Sequence, residues 1–228
     1  MTDKVLTDEV NRPDSPTERD IPQDLHDYVV NEILPQYDDF DAAHHRDHAK
    51  SVIAESLRLA RFYPVQPAMV YAIAACHDIG LCEGREHHHE VSARLIRNDQ
   101  RLRLWFSEEE IQTMAEAAED HRASSRHAPR SLYGRIVAEA DRLIDAETVL
   151  RRTVQYGLAN YPELDKEAHF ERMVAHLHEK YAEGGYLHLW IPESANAARL
   201  AQLRAIIDCP AELRTYFERF YAEETLKK

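Results

Sequence analysis

The stretch Ala74-Ala75-Cys76-His77-Asp78-Ile79-Gly80 sets a histidine beside an aspartate at the end of an apolar run. Val70, Ile73, Ala74 and His77 fall at i, i+3, i+4 and i+7, one face of an α-helix, so the imidazole is predicted to point where the apolar residues point. Buried imidazole and carboxylate groups are costly unless paired or bound to a metal. The dipeptide alone carries little weight. With 14 His and 17 Asp in 228 residues, about one His-Asp pair is expected by chance.

Three further stretches repeat the pattern of a ligand-type residue on an apolar helix face. His48 shares a stripe with Val52, Ser56 and Leu59; His121 shares one with Ile111, Met114 and Ala118; Asp141 sits among Tyr133, Val137, Ala140 and Ile144. Asp141 is the most telling, because a carboxylate at a core position destabilises a helix unless something pairs with it. Each residue alone is more often a satisfied core polar group. Four of them together with Asp78 favour a metal site built from imidazole nitrogen and carboxylate oxygen.

Taken in order, His48, the pair His77-Asp78 and the later Asp141 resemble the HD-domain metal-dependent phosphohydrolases, over roughly residues 41 to 150. The resemblance implies that His48, His77, Asp78 and Asp141 hold a divalent ion: Fe, Mn, Co, Mg, Ni or Zn. Members with a second ion add two histidines between the pair and the last aspartate, the places of His88 and His121, with His87 and His89 competing for the first. Asp78 and His121 are then expected to carry the catalysis. A carboxylate shared by two metals about 3.5–4 Å apart allows hydroxide to attack phosphorus in line. Arg85, Arg122, Arg126 and Arg130 are candidates for binding substrate phosphate, since guanidinium grips phosphate bidentately; solvent-facing loop charge explains any one of them as well. The Glu-Asp pair of the alarmone-hydrolase branch and the Gly-Tyr-Pro motif of the cyclic-di-GMP branch are missing. The loop after His121 and the Ala-Asp ending loosely resemble the branch that cleaves diadenosine tetraphosphate, and residues 151 to 228 match no branch pattern. His45-Arg46-Asp47 copies a kinase catalytic-loop triplet, but no Asp-Phe-Gly or glycine-rich loop accompanies it. The expected function is a metal-dependent phosphohydrolase acting on a small phosphorylated metabolite, a nucleotide first. An HD-type di-iron oxygenase and a metal-stabilised nucleotide-binding sensor without turnover are the alternatives.

These residues need helices to position them, and the composition supplies helix. Six glycines in 228 residues, with Ala, Leu, Glu and Arg abundant, favour an all-α chain. A mobile leader is expected to about residue 20, an HD-type helical domain over 21–157, and a helical extension over 158–228 packed on the same domain. Helices are predicted from about Pro22 to Leu34, where Pro35 stops the first; over Asp41 to Phe62; over Pro67 to Ile79, with Gly80 as its stop; and over Glu86 to Asn98. Ser107-Glu108-Glu109-Glu110 signals the start of the next, which runs to about His121. A long helix from Leu132 to about Tyr156 is expected to end at Gly157, and another spans Asp165 to Ala182. Tyr186 to Ile191 reads as a short strand or extended loop, and helices to Ile207 and Leu226 close the chain. Tyr181, Tyr186 and Trp190 are either core aromatics or a platform for a base. A net charge of −13 argues against a nucleic-acid polymer or an anionic membrane as partner. Three cysteines without Cys-x-x-Cys spacing, and no 18-residue apolar run or signal-peptide pattern, point to the cytoplasm. The sequence leaves a homodimer open.

Overall fold

The computed structural model describes residues 20–40, 44–125, 127–142 and 144–226. Most of the expected leader and Arg126 lie outside these residues. The α-helices are α1 (Gln23–Tyr28), α2 (Arg46–Ala60), α3 (Pro67–Cys76), α4 (His88–Asn98), α5 (Glu108–Glu119), α6 (Leu132–Asp141), α7 (Ala146–Asn160), α8 (Lys166–Tyr181), α9 (Asn196–Ile207) and α10 (Pro210–Thr225). No strand occurs among the described residues, and the chain is all-α as its composition predicts. Segment 186–191, expected as a strand or extended loop, has a bend at Tyr186 and no regular secondary structure after it.

Local chemistry sets the helix starts. Ser107 and Glu110 form a capping box: the Glu110 N–H donates to Ser107 Oγ at 3.3 Å and the Ser107 N–H to Glu110 Oε2 at 2.8 Å. Ser131 caps α6 through the Gly134 N–H, and Asp165 caps α8 through the Ala168 N–H.

Five expectations about helix ends are corrected. The single helix over Leu132 to Tyr156 is two. Arg142 leaves helical geometry (φ −77°, ψ 69°), and Asp145 accepts from the Thr148 N–H at 2.8 Å to start α7 afresh. Gly157 does not stop that second helix but lies inside it, where a Cβ would come within 2.8 Å of Arg172 Nη2 on α8. Pro35 does not end the first helical run. The chain passes from α1 through a π-turn at Val29–Ile33 into a 3-10 turn at Leu34–Asp39, with Pro35 in the first turn, where its missing N–H costs nothing. The helix expected from Asp41 begins at Arg46, because His45 is extended (φ −71°, ψ 168°). Gly80 is likewise no left-handed stop: α3 ends at Cys76, and Gly80 is absent from the positive-φ residues. A Cβ there would lie 2.1 Å from the His88 carbonyl oxygen and 2.5 Å from Ser92 N, so the residue is small because α4 presses on it.

Two apolar clusters fill the molecule. α1 to α6 enclose the first around Tyr37, Ile73, Met114 and Ile136, and α7 to α10 enclose the second around Leu150, Met173, Leu203 and Phe217. The join between them is polar. Glu139 on α6 is fully buried and accepts from the Trp190 N–H (2.6 Å), the Ser194 hydroxyl and Asn196 Nδ2 (2.9 Å). This ties the segment before α9 to the helix that ends on Asp141. Among the described residues no helix is long and apolar enough to cross a membrane.

Candidate metal centre

Five helix ends meet at one point. His48 lies in the first turn of α2, His77 and Asp78 follow α3, His88 opens α4, His121 follows α5 and Asp141 ends α6. Residues some 93 positions apart are thus brought within ligand distance by helix ends that the apolar faces drive together.

Asp78 is the hub. It is 2% exposed, and its two oxygens look in different directions. Oδ2 lies 3.3 Å from His77 Nε2 and 3.8 Å from His48 Nε2, while Asp141 Oδ1 lies 3.1 Å from His48 Nε2 and 3.7 Å from His77 Nε2. Oδ1 lies 3.3 Å from both His88 Nε2 and His121 Nε2. One carboxylate therefore serves two half-sites, each with enough donor atoms close together to hold a metal ion.

The imidazoles are turned for that purpose. His77, His88 and His121 direct Nδ1 at the carbonyls of Ala74 (2.7 Å), Arg85 (2.8 Å) and Ala118 (2.5 Å). A carbonyl only accepts, so Nδ1 carries a proton and Nε2 is the nitrogen that faces inward, the orientation a metal-bound histidine uses. His88 Nε2 and His121 Nε2 face each other at 3.2 Å, two lone pairs with no proton assigned between them. His48 Nε2, His77 Nε2 and Asp78 Oδ1 are buried without a hydrogen-bond partner among the described residues. Unpartnered ligand atoms converging at this spacing fit divalent cations.

The HD domain family model matches residues 46–145, a span that contains all six residues. Over those residues the chain is similar to an HD domain. Comparison with curated proteins and with solved structures gives no match. HD domains bind divalent metals and are generally metal-dependent hydrolases, and the His/Asp cluster here is one that could hold them.

Electrostatics at the centre follow from burial against opposite charge. Burial alone would lower the His77 imidazole, but without an ion the Asp78 and Asp141 carboxylates raise it to about 9, so its Nε2 holds a proton that a bound cation would replace. Burial and the neighbouring His121 push His88 down to about 4. Burial opposes ionisation of Asp78 and Asp141, yet the surrounding imidazoles hold both well below the usual carboxylate range.

The structure separates the remaining candidates. Of the three consecutive histidines His88 reaches Asp78, whereas His87 is exposed beside Glu86 and Glu90, and His89 faces Glu90. His45 is exposed and faces Asp38. Arg122 lies beside His121 and donates to the Glu86 carbonyl at 2.8 Å. Arg85 is exposed and contributes its carbonyl to orient His88. Arg130 is not brought to the centre as a phosphate ligand: its donors go to the buried Asp120 and to Glu119, so it pins the loop after α5. Tyr181 is core in the second cluster, and Trp190 packs against the first.

Sequence reasoning missed Tyr37. Fully buried in the 3-10 turn, it donates its hydroxyl to the Ala75 carbonyl at 2.8 Å and accepts from the Asp78 N–H at 3.3 Å, fixing the backbone on which His77 and Asp78 stand. Burial and the nearby Asp78 charge raise its phenol well above the usual value, so it stays a donor. Its position after Pro35, where the first helix was expected to end, concealed it.

Proposed function

We propose that this HD domain is a metal-dependent phosphohydrolase acting on a small phosphorylated metabolite, a nucleotide first. The observation that carries the reading is the division of Asp78 between two sets of inward-facing Nε2 atoms. His48, His77, Asp141 and Asp78 Oδ2 would hold one ion; His88, His121 and Asp78 Oδ1 would hold a second. Divalent ions, when bound there, would supply polarisation of a phosphoryl oxygen and a lowered pKa of water. The chain's own part is to keep the ligand rings oriented through the Ala74, Arg85 and Ala118 carbonyls and to keep Asp78 ionised. Arg122, beside His121, would meet substrate phosphate at the mouth.

The test is metal analysis of the purified chain together with turnover of a panel of phosphomonoesters, phosphodiesters and nucleotides in added Mn, Co or Fe. Release of phosphate or nucleotide that tracks metal content is the expected result. A fully loaded chain that hydrolyses nothing on the panel overturns the reading; oxygen consumption in its place would point to the di-iron oxygenase.

A further inference from the structure

A cleft of about 180 Å³ lies between the loop after α5, the end of α6 and the irregular segment before α9. Arg122 and Arg142 line it, and each directly follows a residue of the centre, His121 and Asp141. Trp190 and His188 line its other side, their rings 5.8 Å apart.

The lining holds donors that no described residue uses. Arg142 is 7% exposed; its Nη1 donates to the Ala138 carbonyl, and its Nε has no partner among the described residues. The buried indole Nε1 of Trp190 has none either. The carboxylates nearest in sequence attract the guanidinium through space but make their own bonds elsewhere: Asp141 Oδ1 faces His48 and His77, and the Glu139 oxygens are taken up by residues 190–196. Asp120 also lines the cleft, but Arg130 occupies both its oxygens. A guanidinium cannot shed its proton to escape burial, so an anion is what would satisfy it. Size limits that anion. Sites that enclose a whole small molecule run to about 300–1,000 Å³, so 180 Å³ takes one group of a larger ligand.

We propose that this cleft is a subsite for a second phosphate of the substrate, the reacting phosphoryl group lying at the His/Asp centre next to it. The inference rests on the phosphohydrolase reading and narrows its substrate class to compounds with two or more linked phosphates. Arg142 supplies the charged fork and Trp190 a neutral N–H. The buried Glu139, holding the Trp190 backbone, makes the segment before α9 part of substrate selection.

Isothermal titration of the metal-loaded full chain with methylenediphosphonate and with methylphosphonate tests this. The first probe carries two linked anionic groups and resists hydrolysis; the second carries one. The wild type is expected to bind the diphosphonate at least about tenfold more tightly. Arg142→Met is expected to remove about tenfold or more of its affinity, and Trp190→Phe about threefold. Methylphosphonate binding and metal content stay as in wild type. Equal affinity of the wild type for both probes, or diphosphonate binding untouched in both variants, overturns the subsite. Trp190→Phe keeps the ring and decides the matter if Arg142→Met does not fold. Turnover judges the parent reading separately. Hydrolysis on the panel with diphosphonate binding unchanged in the variants overturns the subsite alone. Absence of any hydrolysis overturns the reading and the substrate class with it.

Discussion

Replacing Asp78 with Ala takes one carboxylate oxygen from each half of the centre, so both ions should be lost together. Elemental analysis of Asp78→Ala is expected to find little bound metal, and its melting temperature should no longer rise on metal addition. An ion at a hundred times its Kd stabilises the fold by about 2.7 kcal/mol, and that gain disappears with the site. Retained metal in this variant would remove Asp78 from the centre. His121→Ala touches one half, where its Nε2 is 3.3 Å from Oδ1. It is expected to keep one ion and lose most activity; full activity with a single ion in both the variant and the fully loaded wild type would show the second half-site to be dispensable. At this scale the sequence was informative wherever a ligand sat against a helical stripe, as His77 and His121 do. It was silent on Tyr37, whose role depends on a backbone 38 residues away.

Helix α4 reaches the centre only because Gly80 lets it come close. Gly80→Ala would put a Cβ 2.1 Å from the His88 carbonyl oxygen, and backbone on backbone cannot give way cheaply. The variant is expected to lose about 1–3 kcal/mol in urea denaturation and to carry His88 outward, lowering metal occupancy toward one ion per chain. The loop after α5 is held by a different device, the Arg130–Asp120 pair. Arg130→Ala leaves a buried carboxylate with fewer donors and should cost about 1–2 kcal/mol, read from the urea midpoint. A shift near zero would return Arg130 to the solvated charges. Elements were legible where caps announce them, as at Ser107. The break after Asp141 escaped because apolar periodicity continues through Ile144, although Asp145 followed by Thr148 was a readable cap.

Across the whole molecule, the two apolar clusters are joined through Glu139, a carboxylate with no partner suggested by sequence spacing. Its donors come from residues 51 to 57 positions later. Glu139→Ala strands the Trp190 N–H, the Ser194 hydroxyl and the Asn196 amide, and is expected to destabilise by about 3 kcal/mol in equilibrium denaturation. Glu139→Gln should recover part of the loss. An alanine variant as stable as wild type would mean the clusters hold together by apolar contact alone. The all-α class was plain from composition, whereas the stitching of the later helices to α6 could not be read without knowing which backbone N–H groups arrive there.

The three ring–carbonyl bonds at His77, His88 and His121 each run to the residue three positions back. Each ring is therefore oriented by its own turn of chain and needs no distant partner to aim it. Rotamer freedom is surrendered locally, as each turn forms, and the entropy left to pay when the helix ends meet is mainly that of bringing the backbone together. The site is assembled on folding from parts already facing the right way, so a chain emptied of metal keeps the posture from which it can be refilled.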